Sequence, residues 1–445
     1  MSSNNPGLKT RRDFLRTTVL GGAFSWTVPA FLARTFAELE VHAANDAQVA
    51  TGKDSPILVI LQMAGGNDGL NTVVPYANDH YRRARARIGL QPDAVLKLND
   101  ELGLHPSLIG LRELFGAGNL AIVQGVGYPN PNRSHFRSTD IWHTASDANK
   151  FEKHGWVGRY FDNSCTGEDP TVGVAISRQM PLAFAGRNPK GVCLDNPENY
   201  RFGSGDTGDV LIDPGEESLR ELNRPEMAGE SADANSGASV GAVSGIMRPH
   251  GSVLDYVERT ALDAQVSSDQ IREITRKAAN QASYPGGQLA NSLRLEARMI
   301  GGGMPTRIYY VSQGGYDTHT NQVPAQARLL QELGDSVRAF TEDLKAQGNF
   351  DRVMLMTFSE FGRRVAENAN TGTDHGAAAP MFIAGSKVKA GLLGKYPGLA
   401  PEDLLNGDLK YTVDFRSVYA AVLEKWLKTS SGLILGRKFE PLQIV

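Results

Sequence analysis

Four short apolar runs, each breaking abruptly into glycine, carboxylate and imidazole residues, constrain this chain more than any other feature. They are Ile57–Leu61, Leu120–Val123, Arg307–Val311 and Val353–Met356. Runs of this length, rich in valine, isoleucine and leucine, read as strands buried on both faces of a sheet. The first empties into Ala64-Gly65-Gly66-Asn67-Asp68-Gly69, and the second into Gly125 and Gly127 followed by Tyr128 to His135. Gln313 to His319 follows the third, and Ser359-Glu360-Phe361-Gly362-Arg363-Arg364 the fourth. Thr373-Asp374-His375-Gly376 then precedes another apolar run, Met381–Ala384. Open α/β sheets present chemistry at the carboxyl ends of their strands, so parallel strands would gather these clusters on one edge.

Helical spacing fills the intervals. Leu108, Leu111, Leu114 and Phe115 share a face, as do Leu329, Leu333, Val337, Phe340 and Leu344. The second of these helices leads from the third strand to the fourth, an order that predicts a parallel crossover. Further helices are expected over Phe136–Thr144, Val253–Ala282 and Gln288–Ile300, and after Asp414, which suits an N-cap. The expected architecture is a three-layer α/β sandwich with a mostly parallel central sheet. A helical and loop-rich insertion spans about residues 165–283, and Ala228–Gly245 within it is rich in alanine, glycine and serine.

The first 45 residues read as an address. Arg11-Arg12-Asp13-Phe14-Leu15-Arg16 is a twin-arginine box, followed by a moderately apolar stretch and the small-residue region at Val41-His42-Ala43-Ala44. Glycines and Pro29 interrupt the apolar part, which is too short and too weak for a stable membrane span. The expectation is export through the twin-arginine translocase to the periplasm or beyond, with residues 55–445 forming the folded domain. A formal charge of -3 gives no basic face for nucleic acid. The two cysteines, Cys165 and Cys193, either pair in an oxidising compartment or sit as buried thiols. No G-x-G-x-x-G fingerprint follows a strand with an acidic residue at the right distance, which disfavours a dinucleotide oxidoreductase.

Carboxylate oxygens and imidazole nitrogens without thiolates are the donor set for zinc, manganese or similar divalent ions. Asp68, Asp317, His319, Glu360, Asp374 and His375 are the candidate ligands. Each has a plainer alternative: an Asx turn for Asp68, a surface turn for Asp317 and His319, an ion pair with Arg363 or Arg364 for Glu360. Ser134 stands where a helix N-cap belongs, and a hydroxyl there also faces the positive end of the helix dipole.

In combination, Gly-Gly-Asn-Asp-Gly-Leu-Asn at 65–71, Gly-Tyr-Pro-Asn-Pro-Asn-Arg-Ser-His-Phe-Arg-Ser at 127–138, Asp-Thr-His at 317–319, Phe-Ser-Glu-Phe-Gly-Arg-Arg at 358–364 and Asp-His-Gly at 374–376 resemble the bacterial family catalogued as domain of unknown function 1501. That resemblance implies a relationship to the alkaline phosphatase and sulfatase superfamily, with its central α/β sheet, divalent metals and a nucleophile at a helix start. It implies metal-binding roles for Asp68, Asp317, His319 and His375. Ser359-Glu360-Phe361-Gly362 occupies the place of a Ser-Asp-His-Gly motif, so Phe361 stands where a histidine ligand would be, and His135 or Asp374 would have to replace it. The expected activity is a metal-dependent hydrolase or transferase acting on a phosphate or sulfate ester outside the cytoplasm. Zinc is the first expectation for the ion, with manganese or calcium as alternatives. Ser134, Arg133 and His135 would be the catalytic group, and Arg133, Arg363 and Asn67 would contact the anion. The alternative is a binding or assembly protein that keeps the fold without turnover.

Overall fold

The computed structural model describes residues 55–165, 169–188, 190–195 and 267–445. All of these but residues 267 and 268 belong to the compact unit formed by Val41–Asn199 and Asp269–Val445. The leader over residues 1–45 and the segment Ala228–Gly245 lie outside the described residues, as does the first part of the helix expected over Val253–Ala282.

Among the described residues nine strands make the central sheet: β1 Ile57–Met63, β2 Leu120–Gly127, β3 Gly173–Ile176, β4 Val192–Leu194, β5 Ile308–Gln313, β6 Val353–Phe358, β7 Ala379–Ala384, β8 Gly391–Leu393 and β9 Val413–Asp414. The order across the sheet is β8-β2-β7-β6-β1-β5-β3-β4, with β9 also paired to β2. All these strands share one direction except β7, which is antiparallel to both β2 and β6. The mostly parallel sheet expected from the apolar runs is therefore present. The one reversal matters: because β7 returns beside β6, the long loop joining them begins and ends on the same carboxyl edge.

The helices that surround the sheet are α1 Gly69–Thr72, α2 Asp79–Ala84, α3 Ile109–Gly116, α4 His135–Thr144, α5 Trp156–Ser164, α6 Gln288–Gly301, α7 Gln322–Ala346 and α8 Phe415–Ala421. Alternation along the strands divides their side chains between two layers. Leu58 and Ile60, Ala121 and Val123, Ile308 and Tyr310, and Met354 and Met356 join Trp142, Trp156, Phe415 and Tyr419 in one buried cluster. Elsewhere α6 packs on β5 and on α7, and α7 on α3. The apolar face expected on α7, Leu329, Leu333, Val337, Phe340 and Leu344, is buried at each position. As expected, α7 joins β5 to β6 as a parallel crossover, with β1 between the two.

Within the span of the expected insertion, β3 and β4 extend the sheet beyond β5, Val174 and Ile176 standing beside Tyr309 and Val311. Cys165 and Cys193 are free thiols. Asp414 caps α8, its carboxylate accepting the Arg416 amide at 3.0 Å.

Candidate metal centre

β2, β6, β1 and β5 deliver their C-terminal loops to one edge, and β7 starts there. Four imidazole and carboxylate side chains from three of these loops meet. His135 opens α4 after β2, Asp317 and His319 follow β5, and His375 belongs to the β6–β7 loop. Ligand atoms of His135, Asp317 and His375 all lie within 4.8 Å of one another. His319 adds a fourth donor, its Nε2 lying 2.9 Å from His375 Nε2 and 3.0 Å from Asp317 Oδ1. His375 Nε2 is 3.1 Å from the same oxygen, and His135 Nε2 is 3.5 Å from Asp317 Oδ2.

The outer nitrogen of each ring faces an oxygen. His135 Nδ1 lies 2.8 Å from Glu360 Oε1, His375 Nδ1 2.8 Å from the Arg133 carbonyl, and His319 Nδ1 3.2 Å from Asp374 Oδ1. A carboxylate or carbonyl oxygen can only accept, so a cation held by the Nε2 atoms would leave each Nδ1 hydrogen with an acceptor already in place. Three Nε2 atoms face one carboxylate. Carboxylate or carbonyl partners behind the ligating imidazoles are the usual outer layer of metal sites.

The donor set fits a divalent cation. Bonds of 2.0–2.1 Å in a tetrahedron place ligand atoms about 3.3 Å apart, close to the separations of Asp317 from the three imidazoles, 3.0 to 3.5 Å. His135 Nε2 and Glu360 Oε2 are moreover buried without any hydrogen-bond partner. Lone pairs facing each other at such distances repel unless a cation or proton lies among them. Partial burial would raise the Asp317 carboxyl, but Arg363, which donates to it at 2.7 Å, outweighs that and together with the neighbouring imidazoles holds it down to about 2. The Asn368 amide, ahead of His319, lowers Asp374 below the ordinary carboxylate value.

Backbone geometry makes this convergence possible. Gly65 adopts a φ of +119° and donates its amide to Glu360 Oε1 at 2.8 Å. A Cβ there would lie 2.4 Å from the Asp317 amide nitrogen, so only glycine lets the β1 and β5 loops touch. Ser138 Oγ and Trp142 Nε1, both on α4, donate to the Glu360 carbonyl and lock the carboxylate behind His135.

The other residues singled out in the sequence lie elsewhere or play different parts. Asp68 does not join the cluster. It caps α1 by accepting from Leu70 N and Asn71 N at 3.2 and 3.4 Å, and its second oxygen takes Arg85 and Gln322. Asn67 is fully buried and accepts from the Thr72 hydroxyl, out of reach of an outside ligand. Arg363 is also buried. Its donors go to the carbonyls of Gly65, Gly66, Tyr316 and Thr373 and to Asp317 Oδ1 at 2.7 Å, so it braces the loops, and its burial closes it to a substrate.

Glu360 and Asp374 stand behind histidines, and neither belongs to the converging triad. Glu360 pairs with neither Arg363 nor Arg364 but with His135. Phe361 packs its ring against His135 and His375, with centroids 4.8 and 4.6 Å away, so it buttresses ligands where a histidine was expected. Ser134 takes the N-cap position of α4, yet its hydroxyl makes no capping bond and is exposed. The plain N-cap reading of its side chain is corrected accordingly. Arg133 is 41% exposed and bound to Asp408. His135, which the sequence offered in place of the histidine missing at Phe361, is one of the converging donors.

Fold and site together define a mostly parallel α/β protein with an imidazole and carboxylate centre at the carboxyl edge of its sheet. The model of the family described as "Protein of unknown function (DUF1501)" matches residues 55–432, and the chain belongs to that family. No curated protein matches it in sequence.

Among solved structures it is similar to the lipoteichoic acid synthase LtaP from Listeria monocytogenes, at 9% identity over 88% of this chain and 77% of that one, with a TM-score of 0.36. It is also similar to a protein in the alkaline phosphatase superfamily from Vibrio parahaemolyticus (7% identity, 92% and 76% covered, TM-score 0.33). A third is the PsFucS1 sulfatase from Pseudoalteromonas sp. (9% identity, 81% and 71% covered, TM-score 0.32). Scores this low carry no argument, and the architecture rests on the strand order itself.

Proposed function

We propose that this chain is a metal-dependent hydrolase or transferase of anionic esters, phosphate or sulfate, working outside the cytoplasm. The observation that carries the reading is the approach of three imidazole Nε2 atoms to Asp317, each ring's outer nitrogen facing an oxygen. His135, Asp317, His319 and His375 would hold a divalent ion, for which imidazole with one carboxylate favours zinc over calcium. Such an ion supplies Lewis acidity toward an ester oxygen and lowers the pKa of a nearby hydroxyl or water.

The chain supplies the rest. Ser134 offers an exposed hydroxyl at the positive end of the α4 dipole, next in sequence to His135. Glu360 and the Arg133 carbonyl hold the imidazoles of His135 and His375, and Phe361 excludes water from their inner faces. Export follows from the twin-arginine box at Arg11-Arg12, and no helix among the described residues is long and apolar enough to cross a membrane.

The second reading, a binding or assembly protein without turnover, is favoured by one observation. Asp317 is already hydrogen-bonded to the immobile Arg363, which weakens its pull on a cation. Metal analysis of the exported protein separates the two. Near-stoichiometric zinc, lost in Asp317→Asn and His319→Ala, together with turnover of an aryl phosphate or aryl sulfate that Ser134→Ala abolishes, is expected of the enzyme. Tightly held metal with no turnover of either ester would favour the binding protein, and a metal-free protein indifferent to chelator would end the enzymatic reading.

A further inference from the structure

Beside the centre two half-exposed arginines from different loops lean on one buried carboxylate. Arg133 comes from the β2–α4 loop and Arg364 from the β6–β7 loop, with side chains 41% and 38% exposed. Asp408, 3% exposed, sits between them in a short hairpin strand. Its Oδ2 accepts Arg133 Nε at 3.0 Å as well as Arg133 NH2, and its Oδ1 faces Arg364 Nε at 3.5 Å without accepting any hydrogen bond. Arg364 NH2 is spent on the Asn406 carbonyl at 3.1 Å. Among the described residues neither arginine's NH1 has a partner.

Both arginines are tied to the centre through their backbones. The Arg133 carbonyl accepts from His375 Nδ1 at 2.8 Å, and the Arg364 amide donates to the Asp374 carbonyl at 3.0 Å. Two cations against one anion leave a net positive charge at this rim. Burying one carboxylate to orient two guanidiniums at the surface is costly for stability alone, because exposed ion pairs contribute only about 0–1 kcal/mol. Two partly exposed forks on one carboxylate, each with an unused NH1 among the described residues, suit a tetrahedral oxyanion better than a planar or neutral group.

We infer that Arg133 and Arg364, braced by Asp408, form the anion subsite of this centre and take the phosphate or sulfate group of its substrate. This rests on the proposed function, with Arg364 taking the part expected of Arg363. Titrating the full-length exported protein with inorganic phosphate, and separately with inorganic sulfate, before and after chelator treatment, tests it. Arg133→Met and Arg364→Met are each expected to weaken binding of at least one anion tenfold or more while leaving metal content unchanged. Arg82→Met, exposed on α2 and paired with Asp79, serves as the control.

Asp408→Asn distinguishes a braced fork from simple positive charge: the fork predicts weaker binding, whereas charge alone predicts tighter binding. Anion binding unaffected by either arginine, absent in every preparation, or strengthened by Asp408→Asn overturns the inference. Arginine-dependent binding by a protein that holds no metal would sustain the subsite and remove only the metal-dependent reading.

Discussion

Glu360 shows how one side chain's part is decided by what lies beside it. Its oxygen is 2.8 Å from His135 Nδ1, and its own carbonyl is held by Ser138 and Trp142. It therefore orients the His135 ring, which on the proposed function makes it a positioning residue. Glu360→Gln keeps the shape but lets the amide nitrogen face His135 and push the hydrogen onto Nε2. Losing such outer partners typically costs 10–100-fold in metal affinity. A loss in that range is expected by calorimetric zinc titration, with the far-ultraviolet circular dichroism unchanged; wild-type affinity would mean that His135 is no ligand.

At the scale of elements, the centre depends on loops that touch backbone to backbone. Gly65 and Tyr316–Asp317 meet so closely that a methyl group at 65 would lie 2.4 Å from one main-chain nitrogen and 2.8 Å from a carbonyl carbon. Its φ of +119° adds strain for any other residue, about 1–3 kcal/mol. Gly65→Ala should lower stability by about 2 kcal/mol or more in urea unfolding, and should weaken metal binding because Asp317 must move. Gly314→Ala, where nothing lies within 4 Å, is the matched change expected to do neither. Equal effects at the two positions would show that the contact between the loops is unimportant.

For the whole molecule, acid is the lever. Burial presses His105 and His143 down to about 4, in His105 against the opposing pull of Asp68. Both folded values lie below that of an unfolded histidine. Between pH 6.5 and 4 the unfolded chain thus binds more protons, and stability must fall as pH falls. Full titration corresponds to about 3 kcal/mol for each histidine. Urea midpoints should accordingly drop steadily from pH 7 to pH 4, and His143→Gln should flatten part of that slope. A profile unchanged by the substitution would show that His143 titrates alike in the folded and unfolded chains.

The sequence by itself determined the central strands of the sheet, because uninterrupted runs such as Ile57–Leu61 and Val353–Met356 have no low-energy place except a doubly covered interior, whereas the short strands β3, β4, β8 and β9 were not legible. The same residues marked where chemistry gathers, and α7 was legible from its spacing. Roles within the cluster were not legible. Asp68, Arg363 and Asn67 follow the strands as closely as Asp317 does, but the tertiary structure turns the first into a helix cap, the second into a buried brace and the third into core. His135 and Arg364 acquire their places only when β7 reverses beside β6 and folds its loop back against α4. Strand burial is a local property of composition. Which polar group faces the open edge depends on contacts between loops far apart in the chain, and that is settled only when the whole sheet has closed.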